Sequence, residues 1–186
     1  MKKIFDFVLA VICLVLFFLP IGILGIAVRL TSNGPSLYWS KRVGKNNAIF
    51  KMPKFRTMLM DTPVVATHLL VDPDTHLTVI GGFLRRSSLD ELPQLFSILR
   101  GDMSFVGPRP ALFNQLDLID LRTHKCIDRL RPGITGWAQV NGRDDLSISD
   151  KVLLDSEYLE RHSLYFDLKI LWKTVLIVVN RQGVSH

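Results

Sequence analysis

Two adjacent carboxylates, Asp90 and Glu91, are followed nineteen residues after Asp90 by Arg109, which stands between Pro108 and Pro110. These residue types suit chemistry on phosphate. An aspartate can attack phosphorus or hold a divalent metal, and a guanidinium can fork onto phosphate oxygens. All of them lie in one string, S-S-L-D-E-L-P-Q-L-F-S-I-L-R-G-D-M-S-F-V-G-P-R-P, residues 87–110. Its apolar positions 89, 92, 95, 96 and 99 predict a helical stripe, with Asp90, Glu91, Gln94 and Ser97 on the opposite face. Ser87 or Ser88 would cap that helix, and Pro93 fits a first turn, whose N–H groups have no intrahelical partner. A bare Asp-Glu pair is more often only an acidic first turn that complements the helix dipole, so the elements around it decide its meaning.

The chain begins with an apolar run, residues 7–28, that carries no charge and passes the roughly 20 residues of a membrane helix. It is long for the core of a signal peptide, holds Pro20, and lacks a small-x-small cleavage site. Lys2 and Lys3 precede it, and Arg29, Lys41, Arg42, Lys45, Lys51, Lys54 and Arg56 follow. Basic flanks favour the cytoplasm, and one crossing cannot satisfy both ends. A re-entrant helix-break-helix, bent near Leu19-Pro20 and loosened by Gly22 and Gly25, returns both ends to one face. On these residues alone, span and hairpin both stand.

After the turn at Asn33-Gly34-Pro35, residues 37–43 and 48–58 read as strands of a short β-hairpin, with a loop from Gly44 to Asn47. Lys51, Lys54 and Arg56 could crowd a phosphate-bearing ligand or form a solvated, charged edge. Residues 61–78, with Pro63 and Pro73, read as an irregular surface excursion. The segment R-P-G-I-T-G-W-A-Q-V-N-G-R, residues 131–143, sets Gly133, Gly136 and Gly142 between Arg131 and Arg143. Such glycines let backbone N–H groups approach an anion, and Gln139 and Asn141 offer amides to a base or sugar. Trp137 either stacks on a ring or anchors the loop. Residues 146–161 and 166–179 read as helices; the second, with Phe166, Trp172, Lys169 and Lys173, suits a lipid interface or a core.

A length of 186 residues suits one ordinary domain, and a net charge of +6 implies an anionic partner: nucleotide, anionic lipid or nucleic acid. The two cysteines, Cys13 and Cys126, lack metal or redox spacing, and the five histidines show no zinc pattern.

The 87–110 string resembles the signature of the bacterial sugar transferases, specifically the small monotopic phosphoglycosyl transferases. Three further blocks follow in the family's order: K-F-R-T-M at 54–58, the segment 131–143, and F-D-L-K-I-L at 166–171. The resemblance implies an α+β, mostly helical fold: a re-entrant membrane hairpin over 1–30 and a cytoplasmic catalytic domain over 31–186, at the bacterial inner membrane. A serine commonly precedes the break proline in that family, and Leu19 stands there here. The implied reaction moves a sugar phosphate from a UDP-sugar to polyprenyl (undecaprenyl) phosphate and releases UMP. By the same resemblance Asp90 is the nucleophile and Glu91 aids proton transfer or metal binding. Asp90 and Glu91 would hold Mg²⁺, and Arg85 and Arg109 contact phosphate. Lys54, Arg56, Arg131, Gly133, Gly136, Gln139, Asn141 and Arg143 would line the substrate loops. The compact chain tilts the donor expectation toward an N-acetylated amino sugar, with UDP-galactose or UDP-glucose as the alternative. No nucleic-acid partner is expected, and the oligomeric state is open. The competing class is a membrane-anchored basic binding module without catalysis, which gives no reason for a metal-ready acid pair followed by a proline-framed arginine.

Overall fold

The computed structural model describes residues 1–63, 72–142 and 145–180. Helices dominate it, and two small two-stranded sheets set the positions of the loops between them.

Helix α1 (Lys2–Thr31) runs without interruption through Pro20. The expected break at Leu19-Pro20 is thus a proline within one helix. A proline removes one N–H and crowds the carbonyl four residues back, which a long helix can absorb without ending. Both ends of α1 pack on the rest of the chain. Near its start Lys2 pairs with Asp167, the Asp6 carboxylate accepts from the Phe105 N–H (3.3 Å), and Ala10 is fully buried in the main core. Near its end Val28 is buried with Phe55 and Leu84, and Ser36 Oγ donates to the Gly25 carbonyl (2.7 Å). Between these docking points Val15, Leu16, Phe17, Phe18 and Leu19 are all exposed. Five consecutive residues exceed one turn of 3.6, so every face of the helix is bare there.

Strands β1 (Leu37–Val43) and β2 (Ile49–Phe55) form the expected antiparallel hairpin. The second strand stops at Phe55, three residues before its expected end. The connection includes a 3₁₀ turn, Lys45–Asn47, in which Asn46 and Asn47 take left-handed conformations that asparagine tolerates better than most residues. Beyond Met58, which bridges to Leu77, the expected irregular stretch is a short 3₁₀ turn at Pro73–His76; positions 64–71 lie outside the described residues.

Helix α2 (Gly81–Arg86) leads through the 3₁₀ segment Leu89–Gln94 into α3 (Leu95–Arg100), so the predicted single α-helix is two elements of different pitch. Neither serine caps it. Ser88 sits at the cap position with φ 55°, without a capping side-chain bond, and Ser87 Oγ donates back to the Phe83 carbonyl. The expected polar face also turns inward: Asp90, Gln94 and Ser97 are buried, and Phe96 is half-exposed.

A parallel pair, β3 (Ser104–Val106) with β4 (Gly133–Thr135), brings the 104–110 segment against the glycine-rich segment. The backbones meet closely. A Cβ on Gly133 would lie 2.2 Å from the Gly107 nitrogen, and one on Gly136 would lie 2.1 Å from the Gly107 carbonyl oxygen. Helices α4 (Leu116–His124), α5 (Ile148–Arg161) and α6 (Leu164–Asn180) close the structure. Ser147 caps α5 by accepting from the Asp150 N–H. The buried Tyr158 hydroxyl donates to Asp167 Oδ1 (2.6 Å); burial, then that carboxylate, push the phenol well above its usual range. Tyr165, Leu168, Trp172 and Val175 form an exposed apolar stripe on α6.

Candidate active site

The turn at Ser87-Ser88 and the tight pitch of Leu89–Gln94 press the acid pair against β2. Asp90 is buried at 6% exposure. Lys54, from β2, donates to Glu91 Oε1 at 3.0 Å and stands 3.9 Å from Asp90 Oδ2. Arg109 Nη2 donates to the same Glu91 oxygen at 3.4 Å. Arg85, at the end of α2, contacts Met58 Sδ, and Asp90 and Asp74 act on it. The structure therefore gathers Asp90, Glu91, Lys54, Arg85 and Arg109 around one place.

Burial pushes the Asp90 carboxyl above the ordinary aspartate range, and Glu91 adds to this; Lys54, Arg85 and Arg109 pull the other way. Arg85 is shifted down, first by burial. Cations outnumber carboxylates here, so the site's field suits a diphosphate.

Arg109 is held by more than its flanking prolines. Gly133 N–H donates to the Pro108 carbonyl (2.9 Å), Arg122 Nη1 to the Arg109 carbonyl (2.8 Å), and Arg42 Nη1 to the Pro110 carbonyl (3.0 Å). Arg122 is fixed in turn by the buried Asp155, at 2.6 and 3.0 Å to Oδ2. Arg42 also donates to Ser40 Oγ (3.0 Å). Burial and then the neighbouring Arg109 bring its guanidinium down to about 10, against the pull of Glu91 and Tyr38. Arg42, Arg122 and Asp155 were not legible as site residues. Each has one apolar and one polar neighbour in the sequence, an ordinary setting for a surface charge, so nothing local marks them.

The other candidates go elsewhere. Arg56 is buried at the end of α1, where Nη2 donates to the Ser32 and Gly34 carbonyls and to Ser32 Oγ. It satisfies acceptors left over where a helix ends. Gln139 Nε2 donates to the Ile134 carbonyl and Asn141 Nδ2 to the Trp137 carbonyl, so both amides brace their own loop. Gly133 and Gly136 serve the close approach to Gly107, and Arg131 lies against Gly101. Trp137 anchors the loop: its indole N–H donates to Glu157 Oε2 (2.7 Å) and its ring lies 5.0 Å from Phe166. Arg143 lies outside the described residues.

Among the described residues no group of three or more His, Cys, Asp or Glu could cage a metal ion. The Asp90–Glu91 pair still fits Mg²⁺, which commonly takes one or two protein carboxylates and completes its shell with water and substrate phosphate.

The bacterial sugar transferase family model matches residues 1–181. A Bacillus subtilis protein named uncharacterized sugar transferase EpsL is 40% identical over 100% of this chain and 91% of its own length. The undecaprenyl-phosphate galactose phosphotransferase of Salmonella typhimurium is 36% identical over 98% of this chain, which spans 41% of that relative. The undecaprenyl-phosphate glucose phosphotransferase of Komagataeibacter xylinus is 39% identical over 94% of this chain and 35% of its own length. With matching sequence from the first residue of α1 to the end of α6, and the acid pair enclosed by Lys54, Arg85 and Arg109, this chain belongs to the bacterial sugar transferase family.

Proposed function

We propose that this protein transfers a sugar 1-phosphate from a UDP-sugar to undecaprenyl phosphate, in two steps through Asp90. The carrying observation is the buried Asp90 carboxylate beside Glu91, with Lys54 3.9 Å away and Arg109 on the next carboxylate. In the first step an Asp90 oxygen bonds to the phosphorus that bears the sugar, and the bond from that phosphorus to the UMP oxygen breaks. In the second an oxygen of the lipid phosphate bonds to the same phosphorus and the Asp90–phosphorus bond breaks. Neither attacking oxygen needs to lose a proton at neutral pH, so the protein's task is positioning and charge neutralisation. Mg²⁺ held by Asp90 and Glu91 would neutralise the diphosphate and favour UMP departure. Lys54 keeps the Glu91 carboxylate turned toward the phosphates, and the clamped Arg109 offers them a fixed guanidinium fork.

The lipid acceptor requires a membrane-seated enzyme, and α1 supports one. Its residues 7–28 are an unbroken uncharged, apolar run. A straight helix crossing the bilayer would leave one end far from the domain, whereas α1 has residues docked near both ends and is bare on every face at Val15–Leu19. This arrangement favours insertion of the Val15–Leu19 region into one leaflet, with both ends on the cytoplasmic face. The exposed stripe of α6 would lie in the headgroup layer, where aromatic and lysine side chains are favoured.

Purified protein with Mg²⁺ and undecaprenyl phosphate is expected to release UMP from one member of a UDP-sugar panel. Absence of UMP release from every donor would leave the binding-module reading. Two relatives carry galactose and glucose in their names, which favours a hexose donor over the amino sugar expected from chain compactness. The same panel decides between them. Arg109→Lys keeps the charge but removes the fork, so kcat/KM is expected to fall by at least about ten-fold with unchanged melting temperature. Near-normal turnover in that variant would reduce Arg109 to a diffuse charge.

A further inference from the structure

Tyr38 is an aromatic side chain at the mouth of the site whose exposure, 43%, is high for a residue facing a catalytic pair. Its direction follows from the sheet. Tyr38 stands directly opposite Lys54 in the β1–β2 register, and residues directly opposite in an antiparallel pair share a face, with Cβ atoms about 5 Å apart. Lys54 is the residue that reaches Glu91 and Asp90, so the Tyr38 ring borders the same space. Arg42, four residues on, faces the same way and bonds Ser40 Oγ.

The strand also separates the two approaches to the acid pair. Leu37, next to Tyr38 but on the opposite face of the strand, packs with Val28, Phe55 and Leu84, so this end of β1 adjoins the end of α1. Arg42 and Val43, at the other end of β1, bond to Pro110 and Ala111, on the Arg109 segment. Four residues of strand separate these ends by about 13 Å. The Tyr38 end is therefore next to the apolar helix and the Arg42 end next to the arginine clamp. On the proposed function, a lipid-borne phosphate would come from the first direction, leaving the second to a water-soluble nucleotide.

We propose that Tyr38 is a positioning residue for the acceptor: its ring forms an apolar wall for the isoprenoid carbons adjoining the acceptor phosphate, guiding that phosphate toward Lys54 and Asp90. This rests on the proposed function above. The residue takes no part in bond making; it selects where the lipid lies as its phosphate enters.

The experiment compares wild type, Tyr38→Phe and Tyr38→Ala in nanodiscs containing undecaprenyl phosphate. Tyr38→Ala is expected to raise the KM for the lipid about ten-fold, the effect of losing one aromatic contact surface, with the KM for the UDP-sugar unchanged. Tyr38→Phe keeps the ring and is expected to stay within about twofold of wild type. Given labelled donor without acceptor, Tyr38→Ala is expected to release UMP and carry label as wild type does. A rise in donor KM, a fall in kcat at unchanged lipid KM, an equal loss in Tyr38→Phe, or no change in Tyr38→Ala would each overturn the assignment. Failure of the wild type itself to turn over would instead overturn the proposed function, so the two failures are distinguishable.

Discussion

Asp90→Asn is expected to abolish UMP release, product formation and covalent labelling, with the protein still folded. The amide is a poor nucleophile and a weaker metal ligand, so both steps of the proposed reaction lose their reacting oxygen. The same substitution is expected to raise the melting temperature at pH 7–8. Asp90 is 6% exposed, and its carboxyl lies above the ordinary aspartate range because burial disfavours the charge. A carboxyl whose folded pKa exceeds its unfolded value binds more protons in the folded state, so stability falls as pH rises through the interval between the two values. Above that interval the penalty is fully present, and an uncharged amide removes it. Lys54 keeps its nearer partner, Glu91 at 3.0 Å, so the substitution does not strand the lysine. The stability gain should shrink as the pH is lowered through the same interval. Activity should show the mirror image, its acid limb lying above the usual aspartate pKa because only ionised Asp90 attacks. A thermal melt series over pH together with the pH–rate profile tests both. A variant that still accumulates label on the peptide containing Asp90, or that transfers sugar phosphate at wild-type rate, would remove Asp90 from the nucleophile's place. A variant less stable than wild type at pH 8 would show that the aspartate's charge is net favourable.

The sequence made some of this architecture readable because the residues concerned interact locally. The β-hairpin follows from two strand-like runs around Gly44–Asn47, and the helix read over 146–161 is α5, whose first turn Ser147 caps. Asp90, Glu91 and Arg109 stood out by type and spacing, and the structure places them together with Lys54 and Arg85. Other features depend on distant backbone. The three-residue strands β3 and β4 are too short for a periodic pattern, and their pairing rests on Gly107 meeting Gly133. The inward turn of Asp90, Gln94 and Ser97 follows from a 3₁₀ segment preceding α3, whereas the apolar spacing was equally consistent with one α-helix facing the other way. Arg56 shows the same limit. Its place in K-F-R-T-M suggested a phosphate ligand, but the carbonyls of Ser32 and Gly34 at the end of α1 claim it.

Asp155→Ala is expected to cost about 3–5 kcal/mol of stability, because it leaves the Arg122 guanidinium buried without its counter-charge. Asp155 is 1% exposed and accepts from both Nε and Nη2 of Arg122. Arg122 in turn donates through Nη1 to the Arg109 carbonyl, so α5 is tied through α4 to the loop that presents Arg109. Breaking the pair should therefore do two things. It lowers the midpoint of denaturant unfolding, and it loosens the backbone that carries the Arg109 fork. The double variant Asp155→Ala, Arg122→Met removes the stranded charge and fills its volume with an apolar side chain, and much of the stability should return. Arg109 would still lack its carbonyl anchor in that double variant. Turnover should consequently remain depressed at a temperature where the protein is fully folded, with the loss concentrated in the KM for the UDP-sugar if the clamp end of β1 receives the nucleotide as proposed. Denaturant melts of the two single variants and the double variant give the coupling energy of the pair. Full recovery of activity along with stability in the double variant would show that the ion pair serves the fold alone and that Pro108 and Pro110 suffice to hold Arg109.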